Sequence, residues 1–173
     1  DGTTLSFAIT TFPGNDAVDN TILVMQDLLE DVGFEVELDV LEFQTMIEKL
    51  DGQTFDTIML FFGSLSRTNP DSYIRSLYSP EADVVGSGFN FASYQNPELM
   101  ELLDEARTLP GCDPDERKAI YSEVQQILAE DVPLFIVNTR AVGTAVQEYV
   151  GNYEPSEFGV FWTLPSWDID QPN

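Results

Sequence analysis

The chain has 173 residues, with 31 acidic and 7 basic side chains, no histidine and one cysteine, for a formal net charge of −24. A domain of this length buries roughly 70% of its unfolded surface, and 43% hydrophobic residues are too many for a disordered acidic segment. Seven scattered cations build no basic face for a phosphate backbone, histidine chemistry is excluded, and Cys112 alone makes neither a cysteine-ligated zinc site nor an internal disulfide.

The first 80 residues alternate strand and helix patterns. Leu5, Phe7 and Ile9 alternate with small or polar residues, as a strand does. A Phe12-Pro13-Gly14-Asn15 turn leads into a helix with Val18, Ile22, Met25, Leu29 and Val32 on one stripe. Gly33 stands where a helix-terminating glycine belongs. Phe34, Val36, Leu38 and Val40 alternate against Glu35, Glu37 and Asp39, the clearest strand in the chain. Phe43, Met46, Ile47 and Leu50 follow at helical spacing. Residues 55–62 are a near-continuous apolar run, which predicts a strand buried on both faces.

Three later helices share one start signal: Asn69-Pro70-Asp71, Asn96-Pro97-Glu98 and Asp113-Pro114-Asp115. Each places a capping side chain before a proline at the first helical position, then an acid near the positive helix end. Asp113 with Glu116 also resembles a capping box. Leu99, Leu102, Leu103 and Ala106 carry one of these helices, and Ile120, Val124, Ile127 and Leu128 the next, which stops before Pro133. Residues 134–137 and 142–146 are expected as closing strands. The pattern sets a lobe at residues 1–150 against a loop-rich, aromatic tail at 151–173 that holds Phe158, Phe161, Trp162 and Trp167.

Alternating strands and helices imply an α/β domain with a mainly parallel central sheet flanked by helices. Ligands of such sheets sit beyond the carboxyl ends of the strands. Residues 10–15 and 63–69 occupy that place, making Thr11, Asn15, Gly63, Ser64, Leu65, Ser66 and Arg67 candidate ligand-binding residues. Arg67 offers either a hydrogen-bonding fork in a cleft or a surface ion pair with one of the many acids. Asn90 is a further candidate, or else a turn former.

Chemistry has little support in the residues. Acid pairs of the kind that cleave glycosidic bonds abound by chance among 31 acids. No calcium-loop spacing occurs. Gly63-Ser64-Leu65-Ser66 lacks the second glycine and the base of a serine nucleophile site. Cys112 lies in a Pro110-Gly111-Cys112-Asp113 loop beside acids and reads as an inert thiol. Tyr73, Tyr78, Tyr94 and Tyr121 read as packing residues with a polar tip. No catalytic residue, metal site or cofactor is expected. Acids spread along the whole chain, with only Lys49 and Lys118 as lysines, suggest adaptation to high salt. The apolar stretches are far shorter than the ~18 residues of a membrane span. A chain that begins Asp1-Gly2-Thr3 is expected to be a mature product or a piece of a longer protein.

Four ordered blocks carry a resemblance. They are Leu28-Leu29 with Gly33-Phe34-x-Val36-x-Leu38; Phe55-Asp56 followed by Pro70-Asp71-x-Tyr73; Gly88-Phe89-Asn90-x-x-x-Tyr94-x-Asn96-Pro97-Glu98, continuing to Leu102-Leu103-x-x-Ala106-Arg107; and Glu116-Arg117-x-x-x-Tyr121-x-x-x-Gln125-x-Ile127-Leu128-x-x-Asp131-x-Pro133. Together, over about residues 4 to 150, the chain resembles the C-terminal lobe of the family 5 solute-binding proteins of ABC transporters, the peptide and nickel type.

The resemblance implies a periplasmic-binding-protein-like (type II) lobe and a non-catalytic, extracytoplasmic receptor. Such a receptor traps a peptide, oligosaccharide or metal chelate between two lobes and delivers it to permease subunits. It also implies that the N-terminal lobe and any membrane anchor lie outside this sequence. In peptide-binding relatives an aspartate four residues before the helix-starting proline holds the peptide amine; the position here is Ser66. Met100 stands where the following helix usually carries an aspartate. Two other readings remain open on the residues alone: an acid-pair hydrolase, and an interaction module whose aromatic tail docks a partner.

Overall fold

The computed structural model describes residues 4–61, 69–138, 143–154, 156, 159 and 161–170. Three parallel strands, β1 (Ser6–Thr11), β2 (Glu35–Val40) and β3 (Thr57–Ile58), form a sheet in the order β2-β1-β3. The register sets Ser6 beside Glu35 and Thr11 beside Val40 on one flank of β1, and Ile9 beside Thr57 on the other. The connections are helices α1 (Asp16–Asp31) and α2 (Phe43–Asp51).

Strand alternation decides which helix covers which face. Ile9 and Val36 turn to one face and are buried against Val18 and Ile22 of α1, with Phe7, Leu29 and Leu38 packed around them. Thr10 and Asp39 turn to the other face, where Lys49 of α2 meets both. The two helices therefore lie on opposite faces, as right-handed crossovers to opposite sides of β1 demand. Asn15 caps α1 by accepting from the Ala17 and Val18 amides, and Gly33, at φ +99°, turns the chain from α1 into β2.

The second half is helical: α3 (Pro70–Tyr78), α4 (Pro97–Thr108) and α5 (Pro114–Asp131). All three begin as the Asn-Pro and Asp-Pro signals predict. Asn69 accepts from the Asp71 amide, Asn96 from Leu99, and Asp113 from Asp115 and Glu116. Leu77, Tyr78, Leu99, Leu103, Ala106, Ile120, Tyr121 and Val124 form one buried cluster between these helices. Arg75 joins α3 to α4 through Asp71 and Asp104. The halves are linked by Gln53, whose side-chain amide donates to Asp83 Oδ1 at 3.0 Å and to the Asn90 carbonyl at 3.4 Å.

Four expectations are corrected. Among its described residues, 55–61, the run forms a strand only at Thr57–Ile58, and Phe61 is 51% exposed. β3 pairs with β1 on one side and is short, so among the described residues the buried central place belongs to β1. Residues 134–137 are not a strand: Phe135 and Ile136 are 73% and 74% exposed, with no described strand beside them to take up their backbone groups. Residues 143–146 are likewise irregular, and Val142 lies outside the described residues. Val32 caps α1 instead of joining its buried stripe and is exposed.

The tail is more ordered than its composition suggests. Strands β4 (Val150–Gly151) and β5 (Asp168–Ile169) pair antiparallel, Val150 opposite Ile169, across the expected boundary at residue 150. Trp167 packs edge-on against Tyr153 at 5.4 Å and donates its indole N–H to Thr163.

Candidate functional site

The strand order places the candidate site. From β1 the chain winds by way of α1 to β2 on one side, then by way of α2 to β3 on the other. The winding therefore reverses at β1, and in sheets of this kind the place for a ligand is beyond the carboxyl ends of the two strands at such a reversal, here β1 and β3. Beyond Ile58, β3 stays beside β1 for one more residue, since the Met59 amide donates to the Thr10 carbonyl at 2.9 Å. The described edge thus comprises Thr10 to Asn15 from β1, Leu41 to Phe43 from β2, and Met59 to Phe61 from β3.

A three-way polar network closes one face of this edge. Lys49 Nζ donates to Asp39 Oδ2 and lies 3.4 Å from Thr10 Oγ1, while Thr10 Oγ1 donates to the same carboxylate oxygen at 3.2 Å. The Lys49 hydrogen bond, aided by its charge and by Thr10, holds the Asp39 carboxyl below the usual aspartate range despite the opposing effect of burial. Glu42, at the end of β2, is taken up in capping α2: its Oε2 accepts from the Gln44 amide at 2.8 Å. Asp16 lies in the first turn of α1, at the positive end of that helix.

What remains on the edge is neutral. The Thr11 hydroxyl, on the opposite face of β1 from Thr10, is buried without a hydrogen-bond partner among the described residues. The Phe12 and Phe43 rings meet edge to face at 5.1 Å, and Phe43, like Phe61, keeps about half its surface open. Such an edge presents apolar rings, while the Thr11 hydroxyl stays beneath the surface. It presents no arrangement of acid, base and nucleophile.

The predicted site residues separate on this map. Thr11 lies at the carboxyl end of β1 and is fully buried. Asn15 lies at the same edge, with its carboxamide oxygen engaged as the α1 cap. Gly63, Ser64, Leu65, Ser66 and Arg67 lie outside the described residues. Asn90 belongs to the helical half: fully buried, its amide donates to the Ser79 and Tyr94 carbonyls and its oxygen accepts from the Tyr94 amide. Asn90 thereby closes the turn in which Gly88 stands, where an added Cβ would fall 1.9 Å from the Ala82 carbonyl oxygen. The Lys49–Asp39–Thr10 network was not anticipated. Its signal was present: Lys49 is the one basic residue before Arg67, in a stretch with thirteen acids.

Two other features stand apart. Tyr94 donates its phenol proton to Asp131, as does the Asn96 amide, which ties the start of α4 to the end of α5. Burial, followed by the Asp131 carboxylate, pushes the Tyr94 phenol up to about 12, while its hydrogen bond draws Asp131 down. A shallow concavity at the amino end of β1 and β2 is lined by Glu30, Glu35 and Glu37 with Ser6, Phe34 and Val36. No group of three or more side chains suited to hold a metal ion occurs among the described residues, nor any helix long and apolar enough to cross a membrane.

No family model matches the chain. The oligopeptide-binding protein AppA of Bacillus subtilis is 26% identical over 133 residues, 77% of this chain. The chain spans only 23% of that relative's own length. The structure of AppA from Bacillus subtilis in complex with a nonapeptide matches 99% of this chain and 33% of its own, with a TM-score of 0.70 at 20% identity. The mannohexaose-bound periplasmic oligopeptide-binding protein of an ABC transporter from Thermotoga maritima matches 76% of this chain and 24% of its own, with a TM-score of 0.65 at 27% identity. NikZ from Campylobacter jejuni in complex with Ni(L-His) matches 77% and 26%, with a TM-score of 0.63 at 21% identity. The resemblance carried by the four blocks therefore holds in sequence and in fold: this chain has the α/β architecture of a lobe of the peptide- and nickel-type solute-binding proteins of ABC transporters.

Proposed function

We propose that this chain is a lobe of the substrate-binding component of an ABC importer. It closes over a solute and hands it to permease subunits without altering it. The observation that carries this reading is the likeness of nearly the whole chain to one part of a peptide-bound receptor, combined with a strand order that reverses at the edge where α/β sheets bind ligands. The solute is a peptide, an oligosaccharide or a metal chelate, the three classes that the related structures hold. A second lobe, in a longer protein, completes the site. The working compartment is extracytoplasmic, at the cell surface or in the periplasm.

To the site we assign Thr11, at the end of β1, and residues Gly63 to Arg67, which follow β3 in the sequence. Ser66 in place of a carboxylate favours a neutral or anionic group over a free amine, because a charge-assisted bond worth roughly 1.5–3 kcal/mol is lost. Arg67 supplies a fork for a hydroxyl or a carboxylate.

The test is a titration of isotope-labelled protein, followed by NMR, with a nonapeptide, mannohexaose and nickel with L-histidine. Saturable shifts confined to residues 10–15, 41–43 and 59–69 support the reading. Shifts centred on the glutamate-lined concavity, or none with any of the three solutes, contradict it.

A further inference from the structure

We infer that Asp56, seconded by Thr57, is a positioning residue for the candidate site. The two side chains set the register of β3 against β1, and with it the point at which the chain leaving β3 meets the ligand-binding edge. The positioning role rests on the solute-binding reading above, whereas the register does not. From Ile58 to Phe62 every residue is apolar, so the run has no alternation of apolar and polar positions to choose its facing. A slip by one residue would exchange its two faces without burying a polar side chain. β3 has two residues, Thr57 and Ile58, and stands at the edge of the described sheet, so its ladder specifies the register weakly.

What fixes the register is polar and lies at the start of the run. The Asp56 carboxylate accepts from the Ala8 amide at 2.9 Å, and the Thr57 hydroxyl donates to the Ala8 carbonyl at 2.9 Å. Consecutive side chains thus hold both backbone groups of Ala8, one step before the first paired position, Ile9 beside Thr57. A carboxylate on a backbone amide is the stronger, charge-assisted kind of hydrogen bond. No other polar side chain lies between Phe55 and Phe62 to make it in a shifted register. In the register so fixed, the Met59 amide reaches the Thr10 carbonyl at 2.9 Å, and the Met59 side chain packs with the Ile9, Val18, Ile22 and Val36 cluster on the α1 face. A slip of one residue would turn Met59 to the α2 face and move the chain about 3.3 Å along β1. Met59 to Phe61 would carry that displacement into the edge.

The experiment compares the intact labelled chain with Asp56→Ala and Asp56→Asn, first by amide hydrogen exchange and then by titration with the nonapeptide, mannohexaose and nickel with L-histidine. Asparagine keeps an acceptor for the Ala8 amide and removes only the charge. Asp56→Ala is expected to speed exchange of the Ala8 and Met59 amides at least tenfold, with the amides of β2, α4 and α5 unchanged. Asp56→Asn is expected to hold both amides within threefold of the unaltered chain. For each solute that binds the unaltered chain, Asp56→Ala is expected to weaken binding at least fivefold and Asp56→Asn less than twofold. Ala106→Gly loosens α4 at a buried position of the helical half; it is expected to leave binding within twofold, which separates positioning from lost stability. Unchanged exchange at Ala8 and Met59 in Asp56→Ala, exchange that quickens equally throughout the chain, or an Asp56→Asn chain that behaves as Asp56→Ala overturns the register role. Faster local exchange with unweakened solute binding, or equal weakening by Ala106→Gly, overturns the positioning role and leaves a solute-binding lobe. Failure of all three solutes to bind the unaltered chain removes the solute-binding reading and the positioning role with it, while the exchange result still decides the register.

Discussion

Lys49 of α2 donates to Asp39 of β2, and the pair, with Thr10, pins a helix to the sheet through one shared carboxylate oxygen. Both side chains are about two-thirds or more buried, so the pair is screened less than a surface bridge. Removing one partner leaves the other desolvated and alone. Lys49→Ala is expected to lower unfolding free energy by about 1–2 kcal/mol, read from chemical denaturation. Asp39→Asn is expected to cost less, because the amide still accepts from Lys49 and Thr10.

The same pair sets an acid limit. The Asp39 carboxyl is held below its ordinary value by the Lys49 hydrogen bond, so its contribution is present above the unfolded aspartate value and is lost as pH falls through the folded one. Denaturant midpoints measured from pH 5 downward should fall below about pH 4, and Asp39→Asn should reduce that fall. An unchanged slope in the variant would place the acid sensitivity elsewhere.

Tyr94 sets the alkaline limit. Its phenol is held protonated to about 12 by burial and then by the Asp131 carboxylate. Stability from this group is therefore complete below the unfolded tyrosine value of roughly 10 and is lost as pH rises toward the folded value. Tyr94→Phe should lower stability at pH 7 slightly, through the lost bond to Asp131, and should flatten the decline between pH 10 and 12.

Thr10 and Thr11 make an internal control. They are adjacent in sequence, point to opposite faces of β1 and are both fully buried. Thr10 is hydrogen-bonded and, among the described residues, Thr11 is not. Thr10→Val should destabilise by about 1 kcal/mol, whereas Thr11→Val should be neutral or stabilise by up to about 1 kcal/mol, since it removes an unsatisfied buried hydroxyl. Thermal melts in the absence of solute distinguish the two.

Much of this fold was legible in the residues. The alternation through Phe34 to Val40 gives β2, and the Asn-Pro and Asp-Pro pairs start three helices, because both signals act within a few residues and need no distant partner. The errors fall where partners decide. Residues 55–62 and 134–137 have the apolar composition of buried strands. A strand forms only where a neighbour takes its amides, and among the described residues of the first run β1 serves only Thr57 to Met59. The candidate site was legible in the same degree. Thr11 follows from strand order, whereas the Asp39–Lys49 pairing joins residues ten apart on different elements and has no local periodicity to announce it.

A net charge of −24 bears on the whole lobe. Self-repulsion at low ionic strength opposes the compact state, and screening relieves it. Melting temperature should rise from ~0.1 M to molar KCl by several degrees. A comparison with sodium chloride and sulfate separates screening from surface exclusion. Agreement of the melts across KCl concentrations would remove salt adaptation as the reason for the acids.

The central claim is that this lobe binds a solute and does no chemistry on it. The most direct measurement is prolonged incubation of the intact chain with maltohexaose, mannohexaose and a nonapeptide, each at a concentration where binding is observed, with mass spectrometry of the recovered solute. The account predicts saturable binding of at least one of them and full recovery of unaltered solute. Cleavage products that grow with protein concentration and vanish on substitution of an acidic pair would contradict it and make the chain a hydrolase.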